Sequence, residues 1–175
     1  MGRKPKGLLP ARDTGEPLVV RIVRIATELG FEPAFVGSAE AYAGAVPNLR
    51  VIADEPPGIG PLGGLGGLLK AASTRPVIAV ACDMPHVSAS LLDRLASAPP
   101  KAMVVAPRSI NGKWEPLCAR YDAFAVGPLL TAALARGVRS FQQLFESLDL
   151  AELPLSAREQ ALLEDWDTPE DISRS

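Results

Sequence analysis

Cysteine and histidine are nearly missing from this sequence. Two cysteines, Cys82 and Cys118, and one histidine, His86, fall short of the four Cys/His ligands of a structural zinc site. Both cysteines lie in apolar runs, which fits a reducing compartment better than a secreted disulfide scaffold. An excess of charge is lacking too. Eighteen basic and 20 acidic side chains leave a net charge of −2, no electrostatic footprint for a duplex nucleic acid. No stretch approaches the ~18 consecutive apolar residues of a membrane span. The basic start, Met1 to Lys6, is followed only by Gly7-Leu8-Leu9-Pro10, too short for a signal-peptide core. Lys6 also stands where a myristoylation signal wants Ser or Thr. The expectation is a cytoplasmic protein that partners neither nucleic acid nor membrane.

What is present points to a folded enzyme-like domain. The 175 residues, 47% hydrophobic and 22% charged, read as one domain over 1–175, long enough to bury ~70% of its unfolded surface. Seventeen prolines, about twice the usual ~5%, punctuate short elements without forming a linker, and no repeat or low-complexity segment appears.

Leu18, Ile22, Ile25 and Leu29 recur at helical spacing, with Gly30 as the stop. Pro33 to Val36 and Leu49 to Ile52 read as short strands, and Ser38 is placed to cap a small helix through Tyr42. A glycine-rich loop from Pro56 to Gly64 leads into a small-residue helix reaching Ala72. Pro76 to Cys82 is a continuous apolar run, the mark of a parallel strand covered on both faces. It ends in Asp83-Met84-Pro85, after which Ser88 or Ser90 caps a helix carrying Leu91, Leu92 and Leu95. Met103 to Val105 is another strand. Asn111-Gly112 is a turn signal leading into Trp114 to Tyr121. Helices are expected at Leu129–Arg136 and Phe141–Leu148, the second started by Ser140. Strands alternating with helices predict an α/β fold with a mainly parallel sheet, and the Asn111 turn predicts one antiparallel strand inserted late.

Ligands of such sheets sit outside the carboxyl ends of the strands. Asp83 follows the most apolar strand and is held by the proline two residues on. A carboxylate there suits Mg²⁺, a hard ion that takes one or two carboxylates together with substrate phosphates; it equally suits a helix cap or turn. Asp54 ends another strand before the glycine-rich loop and has the same two readings. Asp165 and Asp167 flank Trp166 ahead of Thr168-Pro169-Glu170-Asp171, which by itself is a capped helix start. The glycines from Gly58 to Gly67 lack a Walker Lys-Ser/Thr and Rossmann spacing, and require only that backbone approach something closely, helix or ligand. His86 reads as a surface loop histidine, and the basic start alone as a solvated terminus.

In chain order these segments resemble the molybdenum cofactor guanylyltransferases, a MobA-like nucleotidyltransferase family. Met1 to Pro10 is similar to the second half of its nucleotidyltransferase signature, and Asp54 with Gly60-Pro61-Leu62-Gly63-Gly64-Leu65 to its Asp, loop, Gly-Pro-Leu-Ala-Gly segment. Cys82-Asp83-Met84-Pro85 matches its Cys-Asp-x-Pro site. Glu115 to Tyr121 resembles its Pro-Leu-x-Ala-x-Tyr strand, and Asp165 to Asp171 its Asn-x-Asn-Thr-Pro-Glu-Asp ending.

The resemblance implies a Rossmann-like three-layer sandwich of the nucleotide-diphospho-sugar transferase type. It implies transfer of GMP from GTP to molybdopterin-type cofactor, with release of pyrophosphate and Mg²⁺ as cofactor. Lys6 and Asp83 would be catalytic. Gly2, Lys6, Asp54, Gly60, Pro61, Leu62 and Asp83 would bind nucleotide, and Asp83 and Asp167 the metal. Molybdoenzymes or cofactor-insertion proteins would be the protein partners. The chain departs from the family in two places. It starts inside the signature, so the family's first strand and Gly-Gly loop are expected upstream of Met1. The family asparagine expected near Gly37 or Ser38 has no counterpart. Two alternatives stand beside GTP. Pro5-Lys6 and the Asp165/Asp167 pair are similar to the molybdenum cofactor cytidylyltransferases, which use CTP, and a non-catalytic binding module would retain the same fold.

Overall fold

The computed structural model describes residues 5–11, 14–99 and 101–162. After a 3-10 turn at Lys6–Leu8, these residues form α1 (Leu18–Glu28), β1 (Ala34–Val36), a second 3-10 turn (Glu40–Tyr42) and β2 (Arg50–Ile52). There follow α2 (Pro61–Ala72), β3 (Pro76–Val80), α3 (Ala89–Ser97), β4 (Val104–Ala106) and β5 (Cys118–Asp122). The last elements are α4 (Ala123–Ala135), α5 (Phe141–Phe145), β6 (Leu150–Glu152) and α6 (Ala157–Leu162). No helix among the described residues is long and apolar enough to cross a membrane.

Local chemistry sets most of these boundaries. Ser88 accepts a hydrogen bond from the Leu91 amide at 3.2 Å and so starts α3, not Ser90. Ser140 does the same for α5 through the Gln143 amide. Gly30, at φ 78°, ends the α1 segment in the left-handed region, where a side chain is strained. Ser38 does not cap the turn at Glu40–Tyr42, whose N-cap is Ala39 with no side-chain bond. α4 begins at Ala123, six residues before the expected Leu129, because Asp122 caps it through the Ala125 amide at 3.1 Å. Pro128 inside that helix deprives the Phe124 carbonyl of its i+4 donor, and Phe124, 71% exposed, lies where water can replace it.

The strands form two sheets, where the sequence predicts one mainly parallel sheet. β1 pairs in parallel with β2. The second sheet has the order β3-β5-β4-β6. Within it β4 and β6 are parallel, and β5 runs against both β3 and β4. β5 is the antiparallel strand expected after the Asn111 turn. Its side chains alternate between two cores. Ala119 and Tyr121 pack with Leu62, Leu65 and Leu69 of α2 and with Val126 and Leu130 of α4. Cys118 joins Ile25 of α1, Leu91, Leu92 and Leu95 of α3, and Val105. The result is three layers, α2, α4 and α5 on one face and α1 and α3 on the other. Each large buried side chain contributes about 1.5–3 kcal/mol by leaving water.

Candidate active site

β3 and β4 both run against β5, so their carboxyl ends share one edge of the sheet with the amino end of β5. Asp83 lies three residues beyond β3 on that edge. Its carboxylate is a quarter exposed, and Lys6 Nζ stands 3.7 Å from Asp83 Oδ2. The two residues that the sequence marks as catalytic, 77 positions apart, therefore meet. A close approach of backbone holds Lys6 there. A methyl group at Gly7 would lie 3.0 Å from Cys82 Sγ and 2.9 Å from the Tyr42 ring, so only glycine lets the turn settle against both.

Tyr42 and Cys82 form the floor beside this pair. Cys82 Sγ donates to Tyr42 Oη at 3.6 Å, and the Tyr42 ring stacks on Phe35 with centroids 4.8 Å apart. Burial pushes the Tyr42 hydroxyl up to about 12, with the Cys82 thiol adding to the effect. Burial also raises the Cys82 thiol. Both are neutral near pH 7, leaving the charges to Lys6 and Asp83.

Asp54 extends from β2 into the same cavity as Asp83, Gly60 and Pro61. Its position is set by α2. A methyl group on Gly63 would lie 3.4 Å from Asp54 Cβ, and one on Gly64 3.6 Å from Asp54 Oδ1. The glycine-rich stretch answers its own question at this point. Methyl groups on Gly66 and Gly67 would come within 2.0 Å of the Glu55 carbonyl and 2.1 Å of the Ala53 carbonyl. The glycines bring helix α2 down onto the 53–56 backbone; what they touch is protein. Gly60, at φ 74°, caps α2 and Pro61 is its first residue, so the amino end of a 12-residue helix opens beside Asp54. Leu62 differs from expectation, since its side chain is 1% exposed in the core and only its backbone faces the α2 entrance. Gly2, Asp165 and Asp167 lie outside the described residues.

The sequence reading missed Tyr42, which nothing in its local spacing marks. It also missed Arg108 and Trp114 on the same edge. The Arg108 guanidinium lies 3.8 Å above the Trp114 ring and donates to Glu152 at 3.1 Å and to the Gly112 carbonyl at 2.7 Å. An Arg and a Trp flanking a turn at i and i+6 were the available signal.

A divalent cation fits this donor set. Asp83 and Asp54 both line one cavity and offer it hard carboxylate oxygens. No group of three or more His, Cys, Asp and Glu among the described residues forms a protein cage. That arrangement suits an ion that draws its other ligands from substrate phosphates and water.

An α/β sheet with carboxylates, a lysine and a helix amino end gathered at its carboxyl edge has the layout of a nucleotide-handling domain. The chain belongs to the family of MobA-like NTP transferase domains, whose model matches residues 1–152. It is 35% identical, over 97% of its own length and 84% of the other's, to a protein of Xanthomonas euvesicatoria named molybdenum cofactor guanylyltransferase. Among solved structures it resembles molybdopterin-guanine dinucleotide biosynthesis protein A of Archaeoglobus fulgidus, with a TM-score of 0.73 and 21% identity over 99% of this chain and 91% of that one. A Mycobacterium tuberculosis protein solved as a manganese complex shares the fold at a TM-score of 0.65 and 21% identity, over 99% of this chain and 92% of that one.

Proposed function

We infer that this chain transfers a guanylyl group from GTP to the terminal phosphate of a molybdopterin-type cofactor. The observation that carries the reading is the meeting of Lys6 with Asp83, a residue that lines one cavity with Asp54, Gly60 and Pro61. The likeness to proteins named guanylyltransferase supports it.

The acceptor phosphate is already an anion, so its oxygen attacks the α-phosphorus of GTP without a general base. The bond from that phosphorus to the bridging oxygen breaks, and pyrophosphate leaves with the electron pair. What the protein must supply is position and positive charge. Lys6, a compact ammonium on a flexible stem, follows the charge as it shifts to the leaving pyrophosphate. Asp83 orients Lys6 in the resting site and is the carboxylate that would hold Mg²⁺, with Asp167 as the second ligand that the resemblance implies. Held there, Mg²⁺ would neutralise triphosphate charge. Asp54 faces the nucleoside from the end of β2, and the dipole at the amino end of α2 favours negative charge. The backbone of Gly60 to Leu62 lines the nucleotide path, and Gly2 would bind nucleotide as the resemblance implies. Neutral Tyr42 and Cys82 add no charge of their own beside the Lys6–Asp83 pair.

The test is pyrophosphate release with Mg²⁺, molybdopterin-type cofactor and each nucleotide in turn. Guanine and cytosine present different donor and acceptor edges. A pocket built for one leaves polar groups unpaired with the other, at about 1–3 kcal/mol each. GTP is expected to be preferred by at least tens-fold. Preference for CTP would make the protein a cytidylyltransferase, as Pro5-Lys6 and the Asp165/Asp167 pair would have it. Nucleotide binding without pyrophosphate release would make it a binding module.

A further inference from the structure

Arg108, two residues beyond β4 on the site edge, is fixed from three sides. It pairs across the turn with Trp114 as an isolated antiparallel bridge, and its guanidinium lies 3.8 Å above the Trp114 ring. Nε donates to Glu152, the last residue of β6, at 3.1 Å, and Nη1 to the Gly112 carbonyl at 2.7 Å. Trp114 is anchored in turn. Gln142 of α5 donates to its carbonyl at 3.0 Å, and Phe145 meets its ring at 73° with centroids 6.4 Å apart.

These contacts use one face and one edge of the guanidinium, and the Arg108 side chain is still 38% exposed. What remains is the second flat face and Nη2, which makes no hydrogen bond among the described residues. Apolar surface accompanies it. Of the four large apolar side chains exposed among the described residues, two, Ile110 and Leu117, lie on this same connection. A rigid planar cation with apolar neighbours is a surface on which a flat aromatic ring stacks.

Position selects which ring. β3 and β4 are separated by β5 alone, so the strands that deliver Asp83 and Arg108 are two ladder spacings apart, about 10 Å. Leu117 bridges that interval. Its carbonyl accepts from the Ala81 amide at 2.8 Å, and it lines the same cavity as Asp83. Asp54 follows a strand of the other sheet, and β3 is the end strand of its own. The nucleoside that Asp54 faces and a ring on Arg108 therefore stand on opposite sides of Asp83, which leaves the ring on Arg108 to the acceptor. A molybdopterin-type acceptor has the matching form, a flat pterin carried a short link from the phosphate that attacks. We propose that Arg108, backed by Trp114, stacks on the pterin ring of the acceptor and so selects which phosphate-bearing molecule reaches Lys6 and Asp83. The identity of the ring rests on the guanylyl-transfer reading. Arg108 positions the acceptor and takes no part in making or breaking bonds.

The experiment titrates the protein into a free pterin that carries no phosphate and follows the quenching of the pterin's own fluorescence. Saturable quenching that GTP does not displace is expected. Arg108→Lys, which keeps the charge and loses the plane, should weaken it about tenfold. Trp114→Phe, which keeps a ring behind the guanidinium, should weaken it less. In pyrophosphate release, both variants should raise KM for the cofactor by the same factors and leave KM for GTP within about twofold. No saturable quenching by the unaltered chain would overturn the proposal, as would displacement by GTP, which assigns the ring to the nucleotide pocket. So would equal affinity in the unaltered chain and Arg108→Lys. Both KM values rising together, with a lower unfolding midpoint, would reduce the pair to a clamp on the turn. Quenching needs no turnover, so the stack and the reaction fail separately. Pterin bound through Arg108 without pyrophosphate release supports the stack and overturns the reaction; release with KM for the cofactor unmoved in Arg108→Lys does the reverse.

Discussion

Lys6 Nζ and Asp83 Oδ2 lie 3.7 Å apart at the carboxyl edge of the sheet, with side chains 42% and 25% exposed. That exposure limits what the pair gives to folding. Solvent screening leaves such a pair at most about 1 kcal/mol of stability, whereas an ammonium aimed at a reacting phosphate is worth far more to a transition state.

Replacing either residue therefore separates folding from activity. Lys6→Ala and Asp83→Asn should each move unfolding free energy by less than about 1 kcal/mol and lower pyrophosphate release by about 10²–10³. Urea titration and a release assay on the same preparations check this. Loss of both together would make the pair structural; retained Mg²⁺-dependent turnover in Asp83→Asn would move the metal role to Asp54 or Asp167.

Gly67 tests the seating of α2. A methyl group there meets the Ala53 carbonyl at 2.1 Å, and backbone cannot swing aside as a side-chain tip can. Gly67→Ala should cost about 1–3 kcal/mol, the usual range for forced overpacking, and should weaken nucleotide binding by displacing Asp54. Gly64→Ala, whose nearest neighbour would be Val36 Cγ1 at 3.3 Å, should cost less. Denaturant midpoints of the two variants give the order.

Tyr121 is fully buried in β5, and its hydroxyl donates to the Pro116 carbonyl at 2.7 Å. Tyr121→Phe keeps the packing and strands that carbonyl, so it should cost about 1–2 kcal/mol, within the range for an unpaired buried group. Tyr121→Ala should cost about 3–5 kcal/mol. Calorimetry of both variants separates the hydrogen bond from the ring.

The alkaline limb of stability should be steep. Burial raises Cys82, Tyr42 and Tyr121 above their unfolded values of 9.0, 10.0 and 10.0. Above those values the unfolded chain loses protons that the folded chain keeps, so stability falls with rising pH. The contribution is whole below pH 9 and is lost progressively above it, until the folded groups ionise in turn, Tyr42 at about 12. Unfolding midpoints between pH 7 and 11 should stay level and then drop. Cys82→Ala should delay the onset, and an onset unchanged by that substitution would contradict the assignment.

The sequence carried the strand ends well because chemistry and geometry coincide there. Asp83 is legible as the residue after an apolar run, and Ser88 and Ser140 as caps, since each signal is local. β6 was missed because three residues, Leu150 to Glu152, are too few to show alternation and become a strand only by pairing with β4. Tyr42 was missed for a related reason, since its partners Phe35 and Cys82 come from two different strand ends and only the fold brings them together. The start of α4 was misplaced because Asp122 serves both as the last strand residue and as the helix cap.

Reversing β5 has a further consequence. Its amino end lies on the site side of the sheet, so the connection from Pro107 to Leu117, with the Arg108–Trp114 stack and the Asn111-Gly112 tip, hangs over that edge without crossing the core. Chain can be added at the tip for little entropy, about 0.6 kcal/mol for each doubling of loop length, while the register of β5 is held by pairing on both sides. The hairpin is thus a wall whose height can vary among descendants of one scaffold, and selection can remodel that edge of the sheet without renegotiating the fold.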